Sequence, residues 1–165
     1  RRRPGKTVVQ AILFSPGDRF QMIIAASIKI NAPLSTVWDV FTDIQNWQEW
    51  NPVCRECRLE EGEAMACGAC FSFELNPMIL SIRIKAVIEQ FEPGKKVVWS
   101  GSRLGIDATH TFAFIENDGH VVLKSEESFS GPLLFLARLI GIPSRLHQLS
   151  NRLLESIKQQ AESRR

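Results

Sequence analysis

Apolar positions follow a strand period near the start of this chain, a helix period twice after it, and a long strand period between. From Ile23 to Ile30 (IIAASIKI) apolar residues partly alternate with polar ones, as in a strand with one buried face. Asn31-Ala32-Pro33 stops that run, and proline suits a first helical turn. Leu34, Val37, Trp38 and Phe41 then recur at spacings of three and four, which predicts a short helix over 33–41. A second short helix is predicted over 44–50, with Trp47 and Trp50 on one side, until Asn51-Pro52 breaks it.

Strands are predicted over 53–59, 69–75, 79–91, 96–101, 107–116 and 120–129, with turns at Glu92–Lys95 and Asp118-Gly119. The helix period returns at Ser130. Leu133, Leu136, Leu139, Ile140, Leu146, Leu149, Leu153 and Ile157 draw one stripe. Gly141-Ile142-Pro143 falls inside it, so the stretch is either two helices, 133–140 and 144–161, or one kinked helix. A kink there is expected to let the first segment swing over a pocket mouth. So long a stripe needs an apolar surface of similar length, and the strands before it supply one. The expected class is α+β: an antiparallel sheet with two short helices after its first strand and a long C-terminal helix.

The last hairpin can be set in register from sequence. Asp118-Gly119 is a two-residue turn signal. It opposes Asn117 to His120, and therefore Phe114 to Leu123, Phe112 to Ser125 and His110 to Glu127, with opposed residues on one face. A three-residue loop would mix the faces. The greasier face of this hairpin thus carries a histidine across from a glutamate.

Length and charge add bounds. At 165 residues the chain suits one domain with a sizeable core. No apolar run is long enough to span a bilayer, so no stable membrane insertion is expected. The net charge is +2, but residues 1–21 hold five cations and one anion, +4, which leaves −2 for the rest. A slightly acidic body gives no support for nucleic-acid binding. Residues 1–21 read as an extension outside the core, with Met22 as the natural start of a single domain over 22–165. The alternative is an additional N-terminal strand or arm. VVQAILF is too short for a convincing signal-peptide core, and the expected location is cytoplasmic.

Two clusters could carry chemistry. His110 and Glu127 could act as general acid and base, polarise a ligand carbonyl, or simply satisfy each other in a buried site. Cys54-x-x-Cys57 and Cys67-x-x-Cys70 come close to a structural zinc pattern. A hairpin centred on Gly62 would oppose Cys54 to Cys70 and Cys57 to Cys67. But Cys54 and Cys57, three apart on a strand, point to opposite faces. Reduced thiols are therefore expected rather than a metal site. Trp47 and Trp50 read as packing that seats the short helices rather than as a binding platform. His120 and His147 read as solvated. No nucleotide, dinucleotide or hydrolase motif occurs, and no cofactor is expected.

The stretch INAPLSTVWDVFTDIQNWQEWNP, and ATHTFAF…DGHVVLKSEESFSGPL entering the long helix, resemble the opening and closing of the START-like, polyketide cyclase/dehydrase-like (SRPBCC) superfamily. The resemblance runs from Ile23 to about Glu162. It implies a helix-grip fold, in which a curved sheet wraps the C-terminal helix around an elongated apolar pocket. Carried over, it implies pocket walls at Trp38, Phe41, Trp50, Phe71, Phe73, Ile82, Ile84, Trp99, His110, Phe112, Phe114, Glu127 and Phe129. From the helix it implies Leu136, Leu139, Ile140, Leu146, Leu149 and Leu153. The expected function is binding or transport of a small hydrophobic ligand, lipid-like or aromatic. The alternatives are a cyclase or dehydratase using His110 and Glu127, or a partner-binding module of the chaperone-activator kind, since one scaffold hosts many functions.

Overall fold

The computed structural model describes residues 8–13, 21–75 and 81–164. Strand β2 (Gln21–Ile30) buries Met22, Ile24, Ala26, Ile28 and Ile30 on one face, the alternation seen in its sequence. Two short helices follow, α1 (Leu34–Thr42) and, after a 3-10 turn at Ile44–Asn46, α2 (Trp47–Trp50). Then come β3 (Arg55–Glu61), β4 (Cys70–Leu75), β5 (Ile82–Glu92), β6 (Lys96–Arg103), β7 (Ile106–Asn117) and β8 (His120–Ser130). Ile79 and Leu80, the expected start of the fifth strand, lie outside the described residues.

Strands β2 to β8 form one curved antiparallel sheet in the order β2-β8-β7-β6-β5-β4-β3. Residues 8–13 form a further strand, β1 (Val8–Leu13), antiparallel to β2 at that edge. Strand β2 closes against β8, so the first and last core strands are neighbours and both flank the C-terminal helix.

That helix is divided at the position the sequence marks. Gly141 takes a left-handed conformation (φ 77°) between α3 (Leu134–Leu139) and α4 (Ile142–Ser163), and Pro143 sits in the first turn of α4, where its missing N–H costs nothing. The two helices do not share one stripe. Helix α3 buries Leu134 and Ala137, while Leu133, Leu136 and Ile140 are exposed. Helix α4 buries Ser150, Leu153, Leu154, Ile157 and Ala161. Its C-terminal turn is tied to the end of β2. Lys158 Nζ donates to the Lys29 carbonyl (2.6 Å) and to Glu162 (2.8 Å), and the Asn31 N–H donates to Glu162 (2.8 Å). Lys158 thus clamps the helix to the sheet.

The two terminal hairpins behave differently. In β7–β8 every expected pair is found: Asn117 with His120, Phe114 with Leu123, Phe112 with Ser125 and His110 with Glu127. In β3–β4 the expected register is wrong. Leu59 pairs with Phe71 and Glu61 with Cys70, so neither Cys54 nor Cys57 faces a cysteine across the hairpin. The ladder is broken between Arg55 and Arg58, where Glu56 has a positive φ of 48°. This irregularity changes which way the flanking side chains point.

One end of the core is solid. Phe41 is fully buried and its ring lies 4.8 Å from Phe112, 5.1 Å from Phe114, 5.6 Å from Trp47 and 5.9 Å from Trp99. Trp38 closes the outer side against Phe114 (5.1 Å) and Phe91 (5.3 Å). Trp47 is also buried, and its Nε1–H donates to the carbonyls of Val40 and Phe41, so its polar end is satisfied.

Candidate functional site

The other end of the core is hollow. Between β3–β8 and α4 lies a partly open cavity of about 110 Å³. The sheet supplies Phe71, Phe73, Leu75, Ile84, Ala86, Trp99 and Phe129, and α4 supplies Leu146, Leu149 and Leu153. The 3-10 turn and α2 add Ile44 and Trp47. Gly101, also on the wall, is required by the close approach of β5, since a Cβ there would stand 2.5 Å from the Lys85 carbonyl oxygen.

Three polar side chains face this apolar volume: His110, Glu127 and Ser150. The ring of His110 is stacked 4.0 Å from Phe112 and stands edge-on to Trp99 at 5.3 Å. Burial among these rings lowers its pKa from 6.5 to about 3, so the imidazole is neutral at physiological pH. Burial also raises the Glu127 carboxyl to about 7. Nδ1 of His110 is 3.7 Å from Glu127 Oε1, too far for a hydrogen bond. Two groups driven toward their neutral forms, at that separation, are not an ion pair. On its other side His110 is committed. Nε2 is 2.7 Å from the Ser125 hydroxyl, which is 3.4 Å from the Ser150 hydroxyl. The result is a buried row, His110–Ser125–Ser150, running from sheet to helix, with Glu127 beside it. A neutral carboxyl can donate a hydrogen bond to a carbonyl oxygen in the cavity, and its carboxylate form can accept a proton.

The family-derived positions divide. Phe71, Phe73, Ile84, Trp99, His110, Glu127, Phe129, Leu146, Leu149 and Leu153 line the cavity. Trp38, Phe41, Phe112 and Phe114 lie in the solid end of the core instead. Trp50 packs on Trp47 at 6.0 Å, and Trp47, read as packing, is the tryptophan of this pair on the cavity wall. Ile82 is half-buried one strand step beyond Ile84. Leu136 and Ile140 are 55% and 59% exposed and take no part, because α3 turns a different face inward. The side chain of Leu139 lies outside the described residues.

Two residues of the zinc-like pattern are cavity residues. Cys54 and Cys57 are both buried and both line the wall, contrary to the expectation that they point to opposite faces. The left-handed turn at Glu56 accounts for the difference. The neighbouring Cys57 side chain, then burial, hold the Cys54 thiol well above its usual pKa. Cys67 is exposed and hydrogen-bonded to the Glu89 carbonyl, so the four cysteines do not converge. Among the described residues no group of three or more His, Cys, Asp or Glu side chains could hold a metal ion. His147, expected in solvent, is half-buried, with its Nε2 shielded. Ser150 was missed, although it stands four residues after Leu146, within the apolar stripe.

No curated protein matches the chain. Among solved structures it is similar to the aromatase/cyclase Zhui from Streptomyces sp. R1128, with a TM-score of 0.75, 13% identity, and coverage of 87% of this chain and 95% of that one. A START superfamily protein from Mycobacterium smegmatis gives 0.63 at 11% identity, covering 86% and 95%. The di-domain aromatase/cyclase BexL, from the BE-7585A biosynthetic pathway, gives 0.74 at 18% identity over 89% of this chain; the chain spans about half (52%) of BexL. At these identities the likeness is one of fold. No described helix is long and apolar enough to cross a membrane. The family model for polyketide cyclase/dehydrase and lipid transport matches residues 21–162, and the chain belongs to that family.

Proposed function

We propose that this protein binds a small hydrophobic ligand in the cavity between sheet and α4, with His110, Glu127 and Ser150 reading one polar group of that ligand. The observation that carries the reading is the contrast within a single core. Aromatic rings fill one end, while an apolar volume beside a buried polar row is left unfilled at the other. A void of about 110 Å³ is on the scale of the engineered apolar cavity, roughly 150 Å³, that accepts benzene. The chemistry fits a ring-sized or short acyl segment with one carbonyl or hydroxyl at its end; a larger ligand needs side chains to move. A filled core, which a purely partner-binding module requires, does not fit this volume.

Trp99 and Trp47 sit on the wall and report occupancy directly. Titration with an apolar anilinonaphthalene probe should quench their fluorescence saturably. Leu149→Phe, which fills the helix side of the wall, should weaken the probe by about tenfold or more. Native mass spectrometry of protein from its own host should find a hydrophobic small molecule. A flat titration together with an empty mass spectrum rules the proposal out.

A second reading has one observation in its favour: a carboxyl held near 7 next to a neutral imidazole, both facing the cavity. That pair suits proton transfer in a cyclisation or dehydration. In that reading His110→Ala abolishes turnover of an aromatic polyketide-like substrate while probe binding persists. Equal loss of both would leave His110 as a binding residue only.

A further inference from the structure

Outside the polar row, one cluster of reactive groups in the cavity wall has no part in ligand reading as described. Cys54 and Cys57 are 5% and 4% exposed, and both face the same cavity. A regular strand would send side chains three apart to opposite faces. Here the ladder breaks between Arg55 and Arg58, and Glu56 adopts φ 48°, a conformation that a glutamate seldom takes. Backbone strain of this kind persists only where the surroundings hold it, and it brings both sulfurs to one side. The Cys57 side chain is the foremost influence on the Cys54 thiol, as expected of near neighbours on one wall. The second C-x-x-C lacks this arrangement, since Cys67 is exposed and its thiol is engaged by the Glu89 carbonyl.

We infer that Cys54 and Cys57 form a redox site in the cavity wall, a dithiol that closes to an intramolecular disulfide by exchange with a small organic disulfide entering the same cavity. In the first step Cys57 gives up its proton and its sulfur attacks the reagent, releasing one small thiol and leaving a mixed disulfide; Cys54, whose thiol is held protonated, reacts second. In the second, the neighbouring cysteine displaces the other small thiol and the Cys54–Cys57 bond forms. Two S–H bonds are lost, one S–S bond is gained, and the two electrons and two protons leave on the two small thiols. Because the sulfurs are reached from the cavity, an occupant covers them. Part of this inference therefore rests on the ligand-binding reading: an apolar ligand protects the pair from oxidation.

The test uses the full chain carrying Cys67→Ser and Cys70→Ser, treated with the uncharged bis(2-hydroxyethyl) disulfide and monitored by intact mass, with circular dichroism to follow the fold. The expected product is folded protein that has lost two hydrogen atoms. Trypsin cuts after Arg55, between the two cysteines, so the expected digest holds the two flanking peptides joined until a reductant separates them. Persistent mixed-disulfide adducts on either cysteine, two unreacted thiols at equilibrium, or unfolding on oxidation would each overturn the redox site. Saturation with the anilinonaphthalene probe should slow the reaction by about tenfold or more, as expected of a site reached only in the ligand-free fraction. Disulfide formation at an unchanged rate with the probe bound would overturn the cavity route alone. Disulfide formation in a protein that binds no probe would support the redox site and sink the ligand reading.

Discussion

The two ends of one core contrast more sharply than any two elements of the fold. At one end α1 lies on β5–β8 and its Phe41 meets rings from four other residues within 6 Å. At the other end the 3-10 turn and α2 reach only the wall, through Ile44 and Trp47, and α4 presents Leu146, Leu149, Ser150 and Leu153 across a gap. Close packing is the ordinary state of a protein interior, and few voids survive it. A fold that packs one end to that standard and leaves the other hollow has the sequence resources to fill both. The hollow end also holds His110, Glu127, Cys54 and Cys57, so the side chains able to do chemistry gather where the packing stops.

The comparison can be broken first by truncation. Phe41→Ala removes a fully buried ring from the solid end and should cost about 3–5 kcal/mol, much of the stability of a typical domain. Phe73→Ala, at the half-buried rim of the cavity, should cost about 1–2 kcal/mol, since the site already has free volume. Urea unfolding of both variants decides it. Equal losses would mean that the two ends are packed alike and that the cavity closes in solution.

The next effect is electrostatic. The raised pKa of Glu127 means that its neutral form is favoured in the folded protein. The stability it contributes is present below the ordinary carboxylate range and is lost as pH rises through about 7. His110 runs the other way. Its pKa is lowered to about 3, so its contribution is present above the ordinary histidine range and is lost as pH falls through about 3. Glu127→Gln abolishes the first and spares the second. Between about pH 5 and pH 8 the variant should gain on the parent by on the order of 2–3 kcal/mol in urea unfolding. Parallel pH curves for the two proteins would mean that Glu127 is solvated and the polar row is not desolvated as described.

How much of this was legible depended on how tightly local chemistry fixed geometry. The Asp118-Gly119 turn sets the register of β7–β8 and so places His110 opposite Glu127 from the sequence alone, as the ladder bears out. The alternation of β2 and the stripe of α4 gave the two walls. Other features depended on tertiary contacts. The exposed faces of Leu136 and Ile140 follow from the left-handed Gly141, which sets α3 apart from α4; the sequence marks that break but not which face α3 turns inward. Family analogy marked Phe112 and Phe114 as pocket walls, but the arrival of Phe41 from α1 turned that volume into solid core. Opposite faces for Cys54 and Cys57 hold only on a regular strand, and no glycine or proline announces the turn at Glu56.

That last difference can be measured in the two hairpins themselves. Gly119 has φ 79° with open space around the position of a Cβ, so Gly119→Ala meets no clash and pays only the left-handed penalty, about 1 kcal/mol. Glu56 has φ 48° with a side chain already in place, so Glu56→Gly relieves a similar strain. It also removes the carboxylate that pairs with Arg83 and Arg58, an exposed interaction of small value, and it adds backbone freedom to the unfolded chain. These terms oppose one another, and the net change at Glu56 should stay within about 0.5 kcal/mol. Thermal unfolding of the two variants side by side gives the comparison. A clear loss at Gly119 with near-neutrality at Glu56 means that one turn was fitted with the residue its backbone needs and the other was not. A loss at Glu56 as large as that at Gly119 would show that the glutamate itself holds the turn, through its arginine partners, and that the inward aim of Cys54 and Cys57 depends on a surface ion pair rather than on the backbone.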